Sequence, residues 1–259
     1  MSDAGPTASS ARSAAPASRF EHSLPGFRAW FLFFVLWMTG WALAAVWLLR
    51  RGEAGDPLAL RAWLLALMCF YLSLCNALLP LPTAWIVLLA AADEYALIAS
   101  GWPRVLLVAG LATVGTVVAN LNEYHVLAYL LRFGLGRRLR QTRVYGWAIR
   151  WFDRAPFQLL TLVAFVPIPI DAVRWLASLR GYSRVRFGLA YLLGRGPRYT
   201  LFAGCSVLLK LTAGQILLIQ VAIVAAAVLS RLAWRIVRTA RPKTDTPTIG
   251  EAAVQPQRP

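Results

Sequence analysis

The chain has 259 residues, of which 59% are hydrophobic and 15% charged, and its mean hydropathy is +0.58. So few charges exclude an ordinary water-soluble domain, in which they run near roughly 25%, and so much apolar surface excludes a disordered chain. The formal charge is +16, from 27 Lys and Arg against 11 Asp and Glu, but the cations fall between long apolar runs. That placement suits cytoplasmic loops and lipid headgroups rather than a nucleic-acid groove, so no nucleic acid is expected as a partner.

Residues 1–25 are rich in Ser, Ala and Pro without apolar periodicity and read as a disordered tail; residues 239–259 read the same way. Ala29 to Leu49 carries no charge. About 21 residues at ~1.5 Å each span roughly 31 Å, one hydrocarbon core. Arg28, Arg50 and Arg51 bracket this run, which predicts an uncleaved first transmembrane helix over 26–51. The polar lead is too long, and the apolar run too extended, for a secretory signal.

Ala62 to Ala92 is also free of charge. As one straight helix, about 31 residues would measure roughly 46 Å, too long for a single crossing. Pro80 and Pro82 lie in its middle. Proline removes a backbone donor and disfavours helix in the residue before it. The expectation is a crossing helix, a break, and a re-entrant segment closing near Asp93 and Glu94. Broken backbone is tolerated at membrane depth only where protein buries it or water lines it, so the prolines point to a cavity.

Val105 to Ala119 is apolar, and its continuation carries Asn120, Asn122, Glu123 and His125. These four read either as a polar relay or as a helix end emerging into water. Arg137, Arg138, Arg140, Arg143, Arg150 and Arg154 follow, interleaved with Trp147, Trp151 and Phe152. Such a stretch predicts an interfacial helix or loop on the cytoplasmic side, with aromatics at headgroup level.

Ala155 to Ile170 is uncharged but short, and it ends in Pro167-Ile168-Pro169; a second re-entrant hairpin is expected there. Phe187 to Leu209 then crosses, with an interruption expected at Gly194-Arg195-Gly196-Pro197-Arg198. Leu211 to Ser230 forms the last span, within a segment 211–238 that ends in Arg231, Arg235 and Arg238. Counting cations in loops places 132–154, 180–186 and 231–243 in the cytoplasm. Arg50, Arg51 and Arg61 favour the inside for their loop, which puts the short N-terminal tail outside.

One pattern therefore occurs twice: an apolar helix broken by Pro-x-Pro, then a helix rich in small residues. On this topology the breaks enter from opposite faces. The expected fold is an all-α integral membrane protein, a multi-span helical bundle with two opposed re-entrant proline hairpins related as an inverted repeat. Broken helices meeting at mid-membrane are the architecture of many secondary transporters.

Candidate site residues follow from that arrangement. Asp171 comes directly after the second break, and an acid at membrane depth is costly; Arg174, three residues on, shares its helical face and is placed to pair with it. Arg195 and Arg198 flank Gly196-Pro197 within an apolar stretch. They read as phosphate ligands or as side chains snorkelling to the interface. Glu123 is the acid of the polar helix end. Pro80, Pro82, Pro167 and Pro169 are the hairpin breaks. Three cysteines in apolar runs and two histidines give no basis for a metal site, a cofactor or a disulfide framework. No positioned His stands beside Ser206, so no enzyme is expected.

The flanks of the second break resemble a known family. Phe165 to Asp171 (Phe-Val-Pro-Ile-Pro-Ile-Asp), Ser178 to Phe187 (Ser-Leu-Arg-Gly-Tyr-Ser-Arg-Val-Arg-Phe), Leu193 to Tyr199 (Leu-Gly-Arg-Gly-Pro-Arg-Tyr) and Gly204 resemble the second block of the DedA, or SNARE-associated Golgi (VTT-domain), superfamily. Ala112 to Gly115, with Ala119 and Tyr124, resembles its small-residue helix, and Asn76 to Trp85 resembles its first proline hairpin. The resemblance covers roughly 58–210, and Gly-Arg-x-x-Arg-Tyr is most similar to a YqaA-like branch. It implies an all-helical lipid transporter that translocates or scrambles phospholipid or polyprenyl phosphate between leaflets. The partners it implies are membrane lipids with anionic or phosphate headgroups, with proton coupling and homo-oligomer assembly left open. It also implies a bacterial plasma membrane location, with the C-terminus cytoplasmic. Thr83-Ala84-Trp85 stands where the family often has an acid after its first prolines, and Ala164 and Ile170 stand where some members carry arginines. The alternative is a non-transporting membrane scaffold or assembly factor.

Overall fold

In the computed structural model the protein is described over residues 27–77, 82–98, 101–130, 143–166 and 171–240. Among these residues every regular element is helical. Pro80, Pro167, Pro169, the basic residues 137–140, the expected N-terminal tail and residues 241–259 lie outside the described residues, while Thr239 and Ala240, expected to open the C-terminal tail, end the last helix.

Four long helices are α1 (Phe27–Glu53), α2 (Pro57–Ala77), α4 (Gly101–Leu130) and α9 (Ala213–Ala240). Each contains a stretch long and apolar enough to cross a membrane. Between them lie α3 (Ala84–Ala91), α5 (Arg143–Arg154), α6 (Pro156–Phe165), α7 (Asp171–Leu179) and α8 (Arg184–Leu208).

Local chemistry sets the helix ends. Gly55, at φ 98°, stops α1. The Gly55 amide bonds Gly52 O at 3.0 Å and the Asp56 amide bonds Arg51 O at 3.2 Å, a Schellman ending that needs the left-handed residue glycine supplies. Asp56 then opens α2 by accepting from the amides of Leu58 and Ala59 at 3.0 and 3.2 Å, with Pro57 at the first helical position, where its missing N–H is harmless. Stop, cap and start thus fit into three residues and force α1 and α2 into an antiparallel pair. Gly181, at φ 61°, ends α7 in the same way, with Tyr182 N–H on Ala177 O at 3.0 Å.

Both proline segments fall between a longer helix and a shorter one. α2 ends at Ala77 and the eight-residue α3 begins at Ala84; α6 ends at Phe165 and the nine-residue α7 begins at Asp171. The second expectation for this region needs correcting. The interruption placed at Gly194–Arg198 does not occur: α8 is one 25-residue helix with Pro197 inside it. An internal proline costs about 3 kcal/mol through its lost donor and ring clash. Tertiary packing offsets that cost here, because α8 lies along α4 and is flanked by α3 and α6. α8 is not among the four helices apolar enough to span by composition, since its arginines lower its hydropathy.

Packing also explains Gly194 of α8. A Cβ on Gly194 would stand 2.4 Å from Thr161 O and 2.6 Å from Ala164 Cβ, so α6 lies directly on the α8 backbone. Below that contact, Tyr124, Phe152, Leu160, Phe187 and Tyr191 form a buried cluster, with the Phe187 and Tyr191 rings 4.7 Å apart. Phe152 anchors α5 there while its neighbour Trp151 stays exposed, and the Arg154 guanidinium sits 5.7 Å from the Trp151 ring.

The chain divides into two compact units between Ala213 and Gly214. The second is built on α9, whose apolar stretch runs from Ala213 to Trp234.

Candidate functional site

The polar residues of α4 are buried. Thr116, Asn120 and His125 are fully covered, and Asn122 nearly so. Of the two readings of this helix end, emergence into water is therefore excluded. A helix this apolar can bury amides and hydroxyls only if they find partners, and most of them do. Thr116 and Asn120 each donate to the carbonyl four residues back, at 2.8 Å.

Glu123 and Asn120, three apart on one face of α4, meet Arg174 of α7. The Arg174 guanidinium donates to Glu123 Oε2 at 2.5 Å and to Asn120 Oδ1 at 2.8 Å. Both charged side chains are about 15% exposed. The side chain of Asp171, the partner expected from sequence, lies outside the described residues. Glu123 and Arg174 are thus brought together as a part-buried pair of opposite charges.

Arg195 and Arg198 form a different kind of site. They lie three apart on α8 and so share a face. Arg195 donates to Asn76 Oδ1 at 3.2 Å and to Tyr199 Oη at 3.5 Å, both neutral acceptors. Arg198 has the Phe202 ring 5.5 Å from its guanidinium carbon. The Nε–H groups of both arginines are buried and lack a hydrogen-bond partner. Among the described residues no carboxylate lies within ion-pair distance of either one; Asp93, Glu123 and Asp153 pair with Arg104, Arg174 and Arg180.

The two clusters belong to one network. Asn76 holds Arg195, Arg195 reaches Tyr199, and the Tyr199 hydroxyl lies 2.9 Å from that of Thr116. Asn120 bonds Thr116 O and receives Arg174, which holds Glu123. The line begins on α2 just before the first proline segment and ends on α7 just after the second. It crosses α8 and α4 between them.

Known proteins give no further guidance. No family model matches the chain, and no curated protein and no solved structure matches it.

Three residues of the network were not singled out as site residues from sequence: Asn76, Thr116 and Tyr199. Asn76 is the only amide in the long uncharged run and sits four residues before Pro80. Tyr199 follows Arg195 by four and Thr116 precedes Asn120 by four, spacings that put each pair on one helix face. Those spacings were the available signal.

At the other end of α4, Arg104 is buried and binds Ile98 O at 3.1 Å, Ala91 O at 3.3 Å and the carboxylate of Asp93. Arg61 adds a bond to Ala96 O at 3.3 Å. Asp93 therefore helps fasten the turn after α3 to α4.

Proposed function

We propose that the protein is a membrane lipid transporter that moves lipids with anionic or phosphate headgroups between leaflets. The observation that carries this reading is the pair Arg195 and Arg198: two interior guanidiniums, each with an unpartnered buried Nε–H and neither ion-paired to an acid among the described residues. Each arginine at membrane depth costs about 2.5–3.5 kcal/mol or more. Two uncompensated ones on a single helix face are intelligible where an anion visits. Guanidinium is the group suited to it, since its planar fork matches phosphate oxygens.

The helix–break–helix segments around Pro80–Pro82 and Pro167–Pro169 are read as two opposed re-entrant hairpins of an inverted repeat. The polar line from Asn76 to Arg174 supports this, because in sequence it begins just before one proline segment and finishes just after the other. The resemblance of 58–210 to the DedA and VTT-domain proteins points the same way, and the reading includes a bacterial plasma membrane location with a cytoplasmic C-terminus. A headgroup would pass Arg195 and Arg198 while its acyl chains stay in lipid.

The test is a vesicle assay. Purified protein is reconstituted with fluorescent phosphatidylglycerol or phosphatidic acid in both leaflets, and an external quencher is added. Transport exposes the inner-leaflet probe, so fluorescence falls beyond the half lost from empty vesicles. Arg195→Gln with Arg198→Gln should return the trace to that half. A wild-type trace indistinguishable from empty vesicles with every anionic lipid overturns the reading.

A further inference from the structure

We propose that Thr116 and Tyr199 are positioning residues for the anion site, which act together to hold Arg195 without neutralising it. This rests on the reading of Arg195 and Arg198 as the headgroup site. A cation awaiting an anion must be held in place, yet a carboxylate holding it would compete with the ligand. Neutral acceptors avoid that conflict, and Tyr199 is made into one by its surroundings.

The argument follows the hydrogens. Thr116 Oγ1 donates its single hydrogen to Ala112 O at 2.8 Å. Its contact with Tyr199 Oη at 2.9 Å must then run the other way, with tyrosine as donor, because a hydroxyl has one hydrogen to give. Tyr199 has now spent its own hydrogen and offers Arg195 lone pairs only. The N–H of Arg195 that points at Tyr199 Oη, 3.5 Å away, therefore meets an acceptor. Both hydroxyl residues are fully buried, so water does not offer the tyrosine a substitute. The sequence of donors runs Arg195, Tyr199, Thr116, Ala112, and it has one direction. Asn76 Oδ1 supplies the second neutral acceptor, and the Nε–H of Arg195 remains unused.

Thr116 does not touch Arg195, yet it fixes the polarity of the group that does. Without it the tyrosine hydrogen is released to turn toward Arg195, where it repels the guanidinium. Hydrogen bonds to charged groups are the strong ones, and losing this one should weaken anion binding about tenfold.

The experiment uses the full chain in detergent and native mass spectrometry with dioleoyl phosphatidic acid, against dioleoylglycerol, which has no phosphate, as the neutral probe. The variants are Thr116→Val, Thr116→Ser, Tyr199→Phe and the double Thr116→Val/Tyr199→Phe. Thr200→Val, whose hydroxyl bonds only Gly196 O on its own helix at 2.9 Å, is the control. Thr116→Val should bind phosphatidic acid about tenfold more weakly, with dioleoylglycerol binding unchanged. Thr116→Ser should restore the affinity, and the double variant should be no worse than either single one. Should Tyr199→Phe fail to fold, the Thr116→Val and Thr116→Ser pair decides the matter alone. A folded Thr116→Val that binds phosphatidic acid like the wild type overturns the proposal, as does an equal loss for both lipids. A wild-type protein with no preference for phosphatidic acid defeats the parent reading instead, and this one with it.

Discussion

Arg174 and Glu123 stand 51 positions apart in the chain and 2.5 Å apart in space, joining α7 to α4 through a charge-assisted hydrogen bond. Each side chain is about 15% exposed, so neither charge is well served by solvent if its partner is removed. Removing one member of such a part-buried pair costs up to roughly 3–5 kcal/mol, because the remaining charge loses compensation that water does not replace. Arg174→Gln and Glu123→Gln should each lower the melting temperature in detergent sharply. The double variant should recover most of that loss, since two neutral amides can bond one another. A double variant as unstable as the sum of the singles would show that the pair is not the source of the cost.

The helical class and the four long apolar helices were legible in the sequence because span length is a direct count of uncharged residues. Residues 78–81 and 167–170, where the two breaks were expected, lie outside the described residues, between α2 and α3 and between α6 and α7. What was misread came from local rules that packing overrode. Gly194-Arg195-Gly196-Pro197 looks like a helix breaker, but Gly194 is the place where α6 rests on α8, and that contact carries the helix through Pro197. The polar end of α4 read more readily as solvated because Asn120, Glu123 and His125 do not announce their partners. Those partners, Arg174 and Trp30, lie on α7 and α1. Trp30 stacks over His125 with ring centroids 5.2 Å apart. Contacts between distant segments have no periodicity to betray them.

Gly194 yields a prediction of its own. A methyl group there would meet the Thr161 carbonyl at 2.4 Å, and a backbone carbonyl cannot turn aside as a side chain can. Gly194→Ala should destabilise the fold by about 1–3 kcal/mol, despite alanine's better helix propensity. Gly204→Ala, on the same helix with nothing within 4 Å of the added carbon, should be neutral or mildly stabilising. Equal melting temperatures for the two variants would refute the close α6–α8 contact.

Ser73 ties three helices together. Its hydroxyl accepts from Trp37 Nε1 at 3.0 Å and donates to Gly115 O at 3.3 Å, linking α1, α2 and α4. Ser73→Ala strands an indole N–H in an apolar setting, at a cost of about 1–3 kcal/mol. Trp37→Phe in the same background removes the stranded donor and should return part of the loss. Purely additive effects of the two substitutions would argue against a shared bond.

Asn76→Asp offers the sharpest test of the charge argument, because it changes one atom group and little volume. Asn76 Oδ1 already accepts from Arg195 at 3.2 Å. A carboxylate in that place would give Arg195 the counter-ion it lacks, and the new ion pair should hold or raise the melting temperature. The substitution does forfeit the bond from Asn76 Nδ2 to Leu72 O at 2.8 Å, worth about 1 kcal/mol, and the charge-assisted bond should offset it. The same carboxylate now occupies the guanidinium that a headgroup would need, and it repels an approaching phosphate. A protein as stable as the wild type, or more so, should therefore bind phosphatidic acid at least about tenfold more weakly and lose transport in the vesicle assay. Asn76→Ala separates charge from contact: it removes an acceptor without adding an anion, so it should weaken binding only a few-fold. If Asn76→Asp transports anionic lipid at the wild-type rate, Arg195 does not meet the headgroup.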